Sequence, residues 1–165
     1  MILNTLIKLR NALSGCLDNF YQKTKWQPDV SGWTLNTLRD FLINNYQWER
    51  DPVYGLLDHV QPIKHMNWQL RKYGVIKGDC DDLATYTIYL AMRIFGNKVA
   101  MRINLITRQH VIGLFDANDG GWHWCSNQDI SDFVGDSKEI MNDYLGTPIS
   151  GGKYVVESIW LDDLR

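Results

Sequence analysis

Apolar residues in this chain recur at steps of three and four in separate segments up to Phe95 and at every second position in the segments that follow Lys98, so helices are predicted first and mainly a sheet after them. Within residues 2–20, Ile2, Leu3, Leu6, Leu9, Leu13, Cys16, Leu17 and Phe20 share one helical side and predict an amphipathic helix docked on the body. The same stripe would suit a membrane surface with a strongly basic opposite face, which this segment lacks. The period lapses over residues 21–32, where Pro28 and Gly32 act as breakers, and this segment reads as a connector. A second helix follows Trp33, with Thr34 or Asn36 as N-cap, Leu35, Leu38, Phe41 and Leu42 inward, and an end near Asn44 or Asn45. After irregular chain marked by Arg50-Asp51-Pro52 and Gly55, a short helix is predicted from Ile63 to Tyr73, closed by Gly74.

Gly78-Asp79-Cys80-Asp81-Asp82 opens a longer helix whose positions Leu83, Ala84, Thr87, Ile88, Ala91, Ile94 and Phe95 fall on one side, with Gly96 as its stop. So apolar a stripe requires a largely buried helix. The period-two segments Val99–Thr107, Gln109–Phe115 and Trp122–Ser126 predict consecutive strands of an antiparallel meander. Asn118-Asp119-Gly120-Gly121 supplies residues that accept positive φ in a tight hairpin, so the last two of these strands should pair directly. A helix near Ser137–Leu145, a turn at Gly151-Gly152 and a strand over Lys153–Leu161 complete an α+β chain in which the Cys80 helix packs on an antiparallel sheet.

Length and charge narrow the classes. The 165 residues fit one domain, with residues 1–32 as N-terminal helix and connector and 33–165 as core. A hydrophobic fraction of 45% against 22% charged residues is that of a globular protein, which sets disorder aside. The net charge of -2, without a run of either sign, argues against a nucleic-acid partner, and no basic stripe accompanies Trp122 and Trp124. Three cysteines, Cys16, Cys80 and Cys125, cannot all pair within the chain and lack the spacing of a disulfide scaffold, so a reducing, cytoplasmic setting is expected. Leu13-Ser14-Gly15-Cys16 matches a lipoprotein cleavage site, yet Lys8, Arg10 and Asn11 interrupt the apolar region such a signal needs. No stretch approaches the roughly 18 apolar residues of a membrane span.

The chemistry centres on Cys80. A thiol at a helix N-terminus feels the partial positive charge of unpaired backbone N–H groups, which favours thiolate, and the same amides can donate to a developing oxyanion. Asp79, Asp81 and Asp82 oppose thiolate formation unless they cap the helix or hold a cation. A nucleophilic thiol needs a base from elsewhere in the fold, and His110, at the start of the apolar run Val111-Ile112-Gly113-Leu114-Phe115, fits better than His59, His65 or His123. A third group should orient the imidazole, and Ser126-Asn127 ends the adjacent strand at the right place, with Asn127 able to accept the hydrogen bond.

The order Cys, His, Asx, with Gly-Asp-Cys-Asp-Asp-Leu-Ala opening a long helix and His-Val-Ile-Gly-Leu-Phe on a strand, resembles the transglutaminase-like superfamily, closest to its bacterial cysteine proteinases. The resemblance covers roughly Leu38 to Ile130 and includes Phe41-Leu42-Ile43-Asn44-Asn45-Tyr46, similar to the segment leading to the nucleophile. It implies a papain-like core, Cys80 as nucleophile, His110 as base, and a backbone amide of Cys80 in the oxyanion site. Members usually carry Asp then Asn where this chain has Ser126-Asn127, so either Ser126 stands degenerate in the third place or Asn127 serves. The expected function is thiol-dependent acyl transfer, as a cysteine peptidase or amidase on a protein or peptide substrate. Alternatives are a catalytically silent module, such as a component of a phage particle and hence of a virion, and a protein-glutamine acyltransferase. Calcium near Asp79 and Asp82, as in some members, falls short of the six to eight oxygens it needs. No other cofactor is expected. A zinc set of Cys80, His110, His123 and Cys125 is the competing chemistry, although paired Cys-x-x-Cys or His-x-x-x-His spacing is missing.

For each candidate a structural explanation competes. Cys80 could be a small core residue, His110 a satisfied core histidine and Asn127 a turn residue.

Overall fold

Thr34 starts the first helix among the described residues: its Oγ1 accepts from the N–H of Thr37 at 3.3 Å, satisfying one donor that the first turn leaves unpaired. That helix, α1 (Leu35–Asn45), buries Leu38 and Leu42 one turn apart, as its spacing predicts. The computed structural model describes residues 26–50, 60–105, 110–136, 138–139 and 154–164. The helix expected over residues 2–20 lies outside them, as does most of the one expected over 137–145.

Chain running out of α1 forms β1 (Tyr46–Trp48), which pairs in parallel with β2 (Ile76–Gly78). Three-residue strands are too short to carry a period, so this small sheet went unseen in the hydrophobic pattern. Between them lies α2 (Ile63–Tyr73), ended as expected by Gly74 at φ 73°. β2 delivers the chain to α3 (Cys80–Phe95), in which every residue from Asp81 to Met92 is buried. Its apolar stripe alone would have buried one face. Burial all round follows from α1, α2 and the sheet packing on it from different sides.

The main sheet holds β3 (Val99–Leu105), β4 (His110–Asp116), β5 (Trp122–Ser126), β6 (Asp129–Ile130) and β7 (Tyr154–Trp160) in the antiparallel order β6-β5-β4-β3-β7. The expected meander is present, and Asn118 (φ 62°) and Gly120 (φ 109°) supply the positive dihedrals of the β4–β5 hairpin. The final strand pairs on the outer side of β3, from Leu105↔Tyr154 to Val99↔Trp160, then turns into a 3-10 segment at Leu161–Leu164. β6, a two-residue strand, carries too little pattern to be expected.

Alternation divides the sheet into two faces. Toward α3 point Gly113, Phe115 and Cys125. Gly113 is required there because a Cβ would lie 2.6 Å from Cys125 Sγ and 3.2 Å from Ala84 O. On the other face Ile103, Leu105, Ile112 and Leu114 form a second buried cluster flanked by Met101, Trp122 and Trp124. The two tryptophans thus pack on this strand cluster and not on α3.

Burial pushes the Cys125 thiol up to about 12 from an ordinary 9.0, against the backbone donor of Gly113 and the Thr87 hydroxyl. Between those values the unfolded chain gives up this proton and the folded chain keeps it. The unfolded state then binds fewer protons, so this group's contribution to stability falls as pH rises through about 9. Chemical denaturation from pH 8 to 10.5 should show a fall that shrinks in Cys125→Ala; equal slopes would remove Cys125 as its source.

Candidate active site

Cys80 is the first helical residue of α3, preceded by its N-cap Asp79, whose Oδ1 accepts from the N–H of Asp81 at 3.3 Å. Asp82, wholly buried, accepts at Oδ1 from the Gln61 backbone N–H and at Oδ2 from Gln61 Nε2, both at 2.5 Å. Gln61 Nε2 also donates to Lys77 O, and Gln69 ties Gln61 Oε1 (3.0 Å) to the Lys77 N–H (2.8 Å). The segment before α2, the strand β2 and the first turn of α3 are thereby one hydrogen-bonded unit. Gly78 is part of it, since a Cβ there would sit 2.6 Å from Asp82 Cβ and Oδ2. The acidic motif around the cysteine is thus largely accounted for by a cap and a strut.

The half-buried sulfur of Cys80 meets two backbone donors, its own N–H and that of Val111, the amide of the peptide joining His110 to Val111. Folding therefore brings the α3 terminus to the first peptide of β4. Burial pushes the Cys80 thiol above its ordinary range, Asp79 and Asp81 push the same way, and the two amides pull it down without overcoming them. The resting group is a thiol.

His110 begins β4 and is half-buried. Its Nε2 lies 2.8 Å from Ser126 Oγ. Gly113 pairs with Cys125, which carries Ser126 to the level of Ile112 on the face His110 shares. Asn127, the residue expected to orient the imidazole, belongs to the opposite alternation. It sits at φ 51° in the turn between β5 and β6, its Oδ1 buried without a hydrogen-bond partner among the described residues. Ser126 is the side chain at Nε2, and Asn127 fills a turn. The next residue, Gln128, fastens that turn to β1 by donating to Tyr46 O at 2.7 Å. Strict alternation also sets His110 with Ile112 and Leu114 rather than with the α3-facing residues. The sulfur meets the His110–Val111 peptide at the first residue of β4.

The zinc set does not assemble. His123 has both nitrogens occupied, Nδ1 by Ser131 O at 2.9 Å and Nε2 by Asp119 Oδ2 at 2.8 Å, and Cys125 is sealed against Gly113 and Thr87. Among the described residues the acidic trio Asp79, Asp81 and Asp82 can gather ligand atoms within 4.8 Å. With both Asp82 oxygens bound to Gln61 and Asp79 acting as cap, this donor set does not fit a calcium site.

Of the predicted residues, the structure joins Cys80 to the strand of His110 and His110 to Ser126. Gln61 was missed, because its part depends on a contact 21 positions away that no local pattern records. No helix among the described residues is long and apolar enough to cross a membrane. Comparison with protein-family models, with curated proteins and with solved structures finds no match to this chain.

Proposed function

We propose that the chain is a thiol-dependent acyl-transfer enzyme of the cysteine peptidase or amidase type, with Cys80 as nucleophile, His110 as base and Ser126 orienting the imidazole. The observation that carries this reading is the contact of the Cys80 sulfur with the peptide joining His110 to Val111, in a half-buried setting on both sides. Since burial holds the thiol protonated, attack on a carbonyl requires a proton acceptor at that moment, and His110 is the titratable base at the contacted peptide. With the proton on Nε2 donated to Ser126 Oγ, the imidazole presents its lone pair at Nδ1. Sulfur then bonds to the carbonyl carbon, its proton passes to Nδ1, and the imidazolium returns that proton to the leaving amine. Water repeats the sequence to release the acid. An amine in place of water gives transamidation with the same parts. The papain-like, transglutaminase-like form of the α+β core belongs to this proposal and is supported by the Cys, His, Ser order on helix and adjacent strands.

A second reading has its own observation. Burial and two carboxylates raise the thiol, and a serine replaces the usual carboxylate or amide beside the imidazole, as in a degenerate module that binds without turnover. Alkylation of the intact protein by iodoacetamide, located by peptide mapping, separates the two. Because His110 takes the proton as the sulfur attacks, Cys80 is expected to react at pH 7 at least about tenfold faster than a free thiol of ordinary pKa, even though burial raises its own, with no such site in Cys80→Ser. Reaction at or below the free-thiol rate would sink the enzyme and leave the silent module.

A further inference from the structure

Strand β1 ends beside the nucleophile. Tyr46 reaches the Thr87 hydroxyl of α3 at 3.4 Å and sets its ring edge-on to Tyr86, so it faces α3. Two residues on, alternation returns Trp48 to the same side. Trp48 pairs with Gly78, and the N–H of Glu49 donates to Gly78 O at 2.9 Å, two positions before Cys80. Gly78 presents no side chain to cover the indole, for Asp82 occupies the place of a Cβ. Trp48 accordingly remains 57% exposed. Other large exposed apolar residues, such as Ile43, Tyr73 and Trp160, have no strand partner so near Cys80. Carboxylates outnumber cations along this stretch, Glu49, Asp79, Asp81 and Asp82 against Arg50 and Lys77, with Lys77 paired to Glu49 at 3.2 Å, Asp79 capping α3 and Asp82 buried against Gln61.

We propose that Trp48 is a specificity-determining residue of the Cys80 site, its indole face receiving a lysine or arginine side chain of the peptide substrate. An aromatic face attracts a cation through its quadrupole, and the surplus of carboxylate around Cys80 favours the same charge and repels an acidic residue. A purely apolar side chain gains from the indole alone. This assignment rests on the thiol reading above and adds the class of substrate to it.

The test uses peptidyl chloromethyl ketones that share one warhead and differ only in an Arg, Leu or Glu side chain next to it. Rates of Cys80 alkylation are each divided by the same variant's iodoacetamide rate, which carries no side-chain information. The order Arg, Leu, Glu is expected, with Arg ahead of Leu by roughly 3- to 30-fold. That preference should collapse toward unity in Trp48→Ala and persist in part in Trp48→Phe. Fast iodoacetamide reaction with an Arg-to-Leu ratio near one, or a ratio unaltered by Trp48→Ala, would overturn the Trp48 assignment and leave the thiol reading intact. If iodoacetamide itself reacts as slowly as free thiol, the thiol reading falls. Titration with N-acetyl-arginine amide, followed by the Trp48 indole N–H resonance assigned through Trp48→Phe, then decides recognition alone. A saturable shift absent with the glutamate analogue sustains it, and no shift ends it.

Discussion

Changing His110 to Ala is expected to slow acylation of Cys80 by about 100- to 10,000-fold, the range that a positioned general base contributes. The argument comes from the resting state of the sulfur. Burial, aided by Asp79 and Asp81, holds it as a thiol above its ordinary range, so the backbone donors of Val111 and Cys80 do not suffice to ionise it. The proton must leave during attack, and without an imidazole its acceptor is solvent. The pH profile carries the diagnostic sign. In the native protein the rate should follow the ionisation of the histidine and level off above it, whereas in His110→Ala it should climb only through the alkaline range in which the thiol ionises. Ser126→Ala, which removes the oxygen 2.8 Å from Nε2, should give a smaller loss, about tenfold, with the profile's form kept. Stopped-flow acylation by an activated ester from pH 5 to 10 measures all three. Superimposable profiles for the native protein and His110→Ala would remove the histidine from the reaction.

Replacing Asp82 by Ala should destabilise the fold by about 2–4 kcal/mol, because each of its two hydrogen bonds from Gln61 engages a charged group, worth about 1.5–3 kcal/mol apiece, less the cost of burying the carboxylate itself. For a chain of this size that corresponds to a fall in Tm of about 5–15 °C. The damage should not be confined to stability. Asp82 lies two residues from Cys80, and through Gln61, Gln69 and the Lys77 backbone it fixes β2 and the first turn of α3 together. Gly78→Ala approaches the same unit from the other side: its methyl would meet Asp82 Cβ at 2.6 Å and force the strut apart. Thermal and urea denaturation of both variants tests this. A loss under 0.5 kcal/mol in each would show that the acidic motif is not a strut, and would reopen a ligand role for it.

Neither the strut nor its partner was readable beforehand, for a reason that applies to the site as a whole. Helix ends and strand positions depend on neighbours a few residues apart, so Thr34, Gly74 and Gly96 marked their boundaries and the alternation after Lys98 marked its strands. β1, β2 and β6, of two or three residues, hold no full period and exist because a partner strand satisfies their backbone. The pattern also showed one apolar face on α3 where the fold buries the helix on every side, since the number of elements that pack around a helix is not written in its own spacing.

By itself, then, the amino-acid order determined the α+β succession, the placement of Cys80 at a helix N-terminus and of His110 at the head of a strand, because each follows from local geometry. Tertiary structure alone decided that the sulfur meets the His110–Val111 peptide, that Ser126 rather than Asn127 stands at the imidazole, that His123 and Cys125 are held by contacts within the fold, and that Trp48 pairs with Gly78, two residues before Cys80. Each of those depends on strand register, in which a shift of one residue exchanges the two faces of the sheet, and register is set by the packing of the whole chain.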